Sequence, residues 1–472
     1  MENGKSMKKL GKNVFIIALG NFGSKFLVFL LVPFYTFYLT PKEYGLSDLI
    51  VMSVMVLLPI LTLSIGDGLF RFNLDNQDRN KTFSSAIGVW LVAMLLVLVG
   101  VLIVSFIVGF YILTILVALL IAFQSLYIIL QQQIRSMNYL KLYASSGIIL
   151  TIVLVLSNIV CLKYLGLGVN GFLFSQVLAF FVGNLLILAF GRVISLFSFR
   201  DMSKSLLKKM LNYSMPLIPN SLLWWVLQVA DRYIITFFLG VGTAGLYTVA
   251  TKIPNILYII HGVFFQAWSL TVLEEKKENQ SSFFAQVFSA YSLLFFVVTA
   301  ILLCMIQPIV TLLFAPAYHS VWIFMPFLLL GACFSSFSSF IEVSYMIAKK
   351  TRQLLLTSVV GSALTMLITI GLVPIFGVLA ASIATFVGFF ATWLIRAIQM
   401  KQLRTMQYKG RFFGTVIVLL IDCIYMSFSP NVNFIIVLSM SLIVLLIQLP
   451  TVVESMHVFR ALLKQRKASK AK

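Results

Sequence analysis

Apolar runs of membrane-crossing length recur from end to end of the chain, separated by short polar or basic connections. A helix needs about 20 apolar residues to span the hydrocarbon core of a bilayer. On that measure the pattern predicts spans at 13–37, 44–66, 85–107, 111–133, 145–163, 170–190, 214–239 and 244–270, then at 284–306, 321–347, 355–374, 378–398, 412–429 and 433–450. No polar block between them is long enough for a folded soluble domain. The expected fold is an all-α integral membrane protein with about fourteen transmembrane helices.

Composition agrees, at 61% hydrophobic and 10% charged residues with a mean hydropathy of +1.04. The first run follows lysines, as a secretory signal would. It is too long for a signal core, holds Lys25 at its middle and lacks an A-x-A site, so it is expected to stay as the first span.

A net charge of +21 would suggest nucleic acid in a soluble protein, but the positions of the charges exclude that class. Thirty of the 35 Lys and Arg fall in alternate connections: Lys5 to Lys12, Arg71 to Lys81, Arg135 and Lys141, 192–209, Lys276 and Lys277, 349–352, 396–411 and the segment after 459. The opposite connections hold only Lys42 and Lys163. By the positive-inside rule both ends of the chain are expected in the cytoplasm.

An offset of 200 relates the two halves: Lys8-Lys9 to Lys208-Lys209, Gly45-Leu46 to Gly245-Leu246, and Phe83 to Phe283. Six spans per half is an even number, so the halves enter the membrane the same way round, a parallel repeat. The expected organisation is a first six-helix lobe at 1–200, a second at 201–405, two further helices at 406–452, and a basic cytoplasmic tail at 453–472.

Three cations, Lys25, Arg232 and Lys252, stand inside spans, where charge costs about 2.5–3.5 kcal/mol each even on a lenient scale. Span seven gathers Ser221, Trp224, Trp225, Gln228, Asp231 and Arg232 at helical spacing. Asn21, Ser24 and Lys25 hold the matching face of span one. Span eight carries Thr248, Thr251, Lys252 and Asn255, and Asp48 in span two is the counterpart of Thr248. These faces are expected to line a hydrated cationic cavity suited to an anion such as phosphate. The competing reading has Asp48 and Asp231 neutralising the cations while the lysines snorkel. A second group, Asp67, Arg71, Arg135 and Glu342, sits at span ends as candidate inner-gate residues, although interfacial charges need no such role. Asp422 lies mid-span in the thirteenth helix without an evident partner.

The four cysteines lie in apolar stretches and the three histidines are scattered, so neither a metal site nor a cofactor is expected. GLGVNG at 166–171 matches G-x-G-x-x-G, but it lies in a turn between spans with no strand before it, so no dinucleotide site is expected.

The segments NVFIIALGNFGSKFLVFLLVPFYTFYLTPKEYGLSDLI, LSIGDGLFRF and MPLIPNSLLWWVLQVADRYIITFFLGVGTAGLYTVATKI resemble the polysaccharide-transport branch of the multidrug/oligosaccharidyl-lipid/polysaccharide (MOP) exporter superfamily. The resemblance implies a Wzx-type flippase for undecaprenyl-pyrophosphate-linked oligosaccharides, a transporter rather than an enzyme, in the bacterial cytoplasmic membrane. It implies Lys25 and Lys252 as head-group ligands and Arg71 as a gate-region residue. Expected partners are the lipid-linked substrate, membrane lipid and other polysaccharide-assembly membrane proteins. A lipid II flippase is the nearest alternative, though span two offers Asp48 and no basic residue, unlike that pattern. A drug/cation antiporter of the same superfamily is the next.

Overall fold

A computed structural model describes residues 27, 29–74, 78–108, 112–274, 280–348, 350–400, 409–429 and 431–470. In chain order the long helices are α1 (Phe29–Tyr38), α2 (Pro41–Leu61), α3 (Ile65–Leu74), α4 (Arg79–Val108), α5 (Ile112–Ser136) and α6 (Leu140–Asn158). Then come α7 (Gly168–Phe190), α8 (Lys204–Ser214), α9 (Leu217–Leu239), α10 (Val241–Ala250), α11 (Asn255–Glu274) and α12 (Gln280–Leu313). The last five are α13 (Met325–Ile347), α14 (Thr351–Phe376), α15 (Val378–Gln399), α16 (Lys409–Phe428) and α17 (Phe434–Lys470).

Eleven helices among the described residues are long and apolar enough to cross a membrane, and the bent pair α10 and α11 makes a twelfth. With α9, and with α1 at the described end of span one, helices are found in each of the fourteen expected spans among the described residues. Expected and observed limits differ in places. Span two stops at Leu61 rather than at 66, because Leu63 and Ser64 take left-handed backbone (φ 53° and 49°) and turn the chain into α3. The 453–472 tail is helical to Lys470, as the end of α17.

Local chemistry sets the helix ends. α2 opens with Pro41 behind a capping box: Glu43 N donates to Thr40 Oγ1 (3.3 Å), and Thr40 N donates to the Glu43 carboxylate (2.9 Å). α10 starts behind Gly240 at φ 85°, 200 residues after the Thr40 cap. Pro254 has no N–H to continue the helix begun by α10, and the chain bends by 47° before α11.

By contacts the chain divides into two compact units, Met1–Tyr233 and Ile234–Lys472. In the first, α7 packs on α5 and α6. The amphipathic helices α3 and α8 close one end, burying Ile65, Leu69, Leu206 and Met210 against Phe83, Ile129, Leu130 and Ile134. In the second, α15 packs on α13 and α14, the same arrangement two hundred and some residues later. Its core is aromatic: Tyr291, Phe295, Phe296, Phe334, Phe337, Phe340 and Trp393 are all buried, and Trp268 stacks on Phe340 with centroids 4.5 Å apart. α13 lies at its centre, with 78% of its span buried against 11% for the lipid-facing span of α4. α16 and α17 pack on α12.

Candidate functional site

In the first unit α9 is tied to α2 by three side chains on one helix face. Trp225 donates its indole N–H to the Met52 carbonyl (2.7 Å). Tyr233 shares a hydrogen bond with the Ser53 hydroxyl (2.7 Å), and its ring lies 5.3 Å from that of Trp225. Between them Arg232, 8% exposed, places Nε 3.2 Å from Asp48 Oδ2. Asp231 approaches the same guanidinium at 3.8 Å and also accepts from the Arg232 backbone N–H (2.8 Å). Two carboxylates thus flank one cation, and Arg232 is held as a cross-link between α2 and α9. The spacing of 225, 232 and 233 explains why one α9 face makes all three ties.

In the second unit Lys252 sits in the break between α10 and α11, half-buried. The turn is closed by the Lys252 N–H on the Val249 carbonyl (3.0 Å), the Asn255 N–H on the Thr251 carbonyl (3.2 Å) and the Thr251 hydroxyl on the Thr248 carbonyl (2.7 Å). Irregular backbone at membrane depth is tolerated where protein buries it or where it lines a wet cavity. Interrupted helices are also where transporters bind charged cargo. Lys25, Asn21 and Ser24 lie outside the described residues, as does the Gln228 side chain on α9.

The candidate gate residues separate into two sets. Asp67 on α3 accepts a long hydrogen bond from Gln132 Nε2 on α5 (3.4 Å). Arg135, one turn along α5, lies over the Phe70 ring at 4.6 Å, and Arg71 is exposed on the same short helix. α3 is pinned from behind by Asn73, which donates to Gln133 Oε1 (2.8 Å) and Ser136 Oγ (2.9 Å) and accepts from Thr82. Glu342 belongs to the second unit, where its carboxylate lies 3.8 Å from Arg396 Nη1.

Arg396 is a residue the charge count hides. It was grouped with the loop cations of 396–411, yet it is 4% exposed. It donates to Thr357 Oγ1 (2.9 Å), Ser358 Oγ (2.7 Å) and the Ser338 carbonyl (3.1 Å). The available signal was its register with the apolar stripe through Trp393, which turns it inward.

The four cysteines are free and buried. Among the described residues no group of three His, Cys, Asp or Glu is placed to hold a metal ion. GLGVNG runs from a π-helical turn (Ile159–Tyr164) into α7, with helix on both sides.

The sequence matches the polysaccharide biosynthesis protein family over residues 10–269. No curated protein matches it in a sequence search. Among solved structures it is similar to the lipid II flippase MurJ in an inward closed conformation, at TM-score 0.66 and 17% identity, covering 95% of this chain and 100% of that one. It is also similar to an inward-facing multidrug-resistance MATE transporter of the MOP superfamily, at TM-score 0.62 and 13% identity, covering 80% and 95%. A MATE transporter from Vibrio cholerae gives 0.50 and 13%, covering 87% and 100%. A family match over more than half of the sequence, on an all-α fold of this kind, places the chain in the polysaccharide biosynthesis protein family, with the architecture of the MOP-superfamily transporters.

Proposed function

We propose that the protein is a flippase that carries undecaprenyl-pyrophosphate-linked oligosaccharides outward across the bacterial cytoplasmic membrane, for cell-surface polysaccharide synthesis. The observation that carries this reading is the family match over 10–269, the stretch that contains all three intramembrane cations, Lys25, Arg232 and Lys252. A pyrophosphate head group brings negative charge into hydrocarbon, where an isolated ion costs tens of kcal/mol (~20 or more). A cationic cavity removes most of that cost while the prenyl tail stays in lipid.

Lys252, in the unwound turn of span eight, and Lys25 in span one are the proposed head-group ligands, with Asn21, Ser24, Gln228, Thr251 and Asn255 as polar lining. Arg232 takes part as a cation held in place by Asp48 and Asp231. Asp67, Arg71 and Arg135 form the inner end of the path on α3 and α5, and Glu342 with Arg396 serves the second unit. With the basic connections in the cytoplasm, export moves negative charge out of an inside-negative cell. That is favourable by about 2.3 kcal/mol per charge per 100 mV, so alternating access needs no nucleotide.

Neutralising Lys25 and Lys252 together, as Lys25→Gln with Lys252→Gln, is expected to abolish flipping of a lipid-linked oligosaccharide in proteoliposomes while leaving insertion intact. Wild-type rates in the double variant would refute the cationic site. The structural similarity to MurJ keeps lipid II as a second reading. Complementation separates the two: rescue of a strain lacking an oligosaccharide flippase, without rescue of one lacking the lipid II flippase, is the expected result.

A further inference from the structure

One carboxyl of the second unit has no part in the transport site. Asp422 lies well inside the α16 span, is 0% exposed, and neither of its oxygens has a hydrogen-bond partner. Among the described residues no Lys or Arg stands within ion-pair distance of it. α16 packs against α12, α13, α17 and the 3-10 segment Pro316–Ile323. The titratable groups of these elements in its electrostatic surroundings are thiols, Cys304 on α12 and the adjacent Cys423 on α16. On the elements packed against α16, the hydroxyl oxygens of Thr299 and Ser338 are buried without a hydrogen-bond partner, while other polar side chains are occupied. Gln448 of α17 donates to Thr415, Ser441 donates to the Ala300 carbonyl, Ser427 donates to the Ile323 carbonyl, and His319 is bonded to the Phe314 carbonyl.

A carboxylate with no donor and no cation is strongly disfavoured in such a setting, and thiols are too weak as donors to compensate. A buried polar group left unsatisfied in a native fold signals either an unseen small ligand or a functional charge state. A hard cation wants several oxygen ligands, and among the described residues no group of three His, Cys, Asp or Glu is placed to hold one. A proton satisfies the chemistry alone, converting the carboxylate to the neutral acid.

We propose that Asp422 is a proton-binding site inside the second unit, holding its proton at neutral pH and exchanging it only when α16 loosens from α12 and α13. Proton uptake and release at Asp422 accompany a rearrangement of α12, α13 and α16, a role separate from cargo binding.

Infrared spectroscopy of the purified full chain in lipid nanodiscs tests this without any cargo. Wild-type protein at neutral pH is expected to show a protonated-carboxyl stretching band that shifts in D2O. Asp422→Asn loses that band, and Asp422→Glu keeps it at a displaced frequency. Absence of the band in wild type, or an unaltered band in both variants, overturns the proposal. Should Asp422→Asn fail to insert, the displaced band of Asp422→Glu decides alone. Thermal melts with and without sodium close the remaining route. A sodium-dependent rise in melting temperature that Asp422→Asn abolishes would make the site a cation site and overturn the proton assignment. No measurement here depends on the cargo, so failure would leave the flippase reading untouched.

Discussion

Arg232 and Lys252 are both cations in the middle of apolar sequence, and their surroundings differ. Arg232 is enclosed between Asp48 and Asp231, and Lys252 rests in a helix break. Removing one member of a buried pair leaves the other charge uncompensated, which costs about 3–5 kcal/mol. Asp48→Asn is therefore expected to destabilise the first unit by less than that amount, since Asp231 still flanks the guanidinium, read as a lowered melting temperature in detergent. The triple change Asp48→Asn, Asp231→Asn and Arg232→Gln should recover much of the loss, because it removes both carboxylates together with the guanidinium they flank. Neutralising Lys252 is expected to lower transport, read as the flipping rate of a lipid-linked oligosaccharide in proteoliposomes. The intramembrane cations were legible in the sequence because charge in an apolar run is conspicuous. Arg396 was not, because at a span end a buried arginine and a loop arginine look alike. Its hydrogen bonds to Thr357, Ser358 and Ser338 come from two other helices, and only folding assembles them.

At the scale of elements, hydropathy located every long helix, since each span must be apolar over its whole length. It passed over α3 and α8, whose polar faces average away their buried ones, and it carried span two past the left-handed turn at Leu63 and Ser64. Close helix crossings were also invisible. α14 and α15 meet at Gly361 and Gly388, each followed four residues later by a threonine, Thr365 and Thr392. A Cβ on Gly388 would run into the Thr365 hydroxyl and stand 2.7 Å from the Gly361 carbonyl. One on Gly361 would meet Thr392 and the Gly388 carbonyl in the same way. Small residues let membrane helices approach this closely. Gly388→Ala is expected to force the pair apart at a cost of about 1–3 kcal/mol, visible as a lower melting temperature and faster proteolysis of the second unit. Gly371→Ala is the control, with open space at its Cβ and no expected effect.

For the whole molecule, the alternation of basic connections proposes an orientation that can be checked directly. A single cysteine at Arg200, in a background with the four buried cysteines replaced, is expected to react with an impermeant maleimide only after the cytoplasmic face is opened. Labelling of intact cells would reverse the topology and with it the direction assigned to transport. The sequence by itself determined that this is an all-α membrane protein of about fourteen apolar spans and marked three cations within apolar runs. Both facts follow from the cost of exposing backbone and charge to lipid, a cost that acts residue by residue along the chain. The tertiary structure decided how those charges are held. It tied Arg232 to Asp48 across 184 residues of chain, sank Arg396 beside Glu342, unwound the helix at Lys252, and buried Asp422 with no hydrogen-bond partner among the described residues. Partner choice depends on which helices pack together, and apolar helices of equal hydropathy carry no sequence label for their neighbours. In lipid that choice rests on side-chain fit and a few buried polar contacts, which exist only once the helices have met.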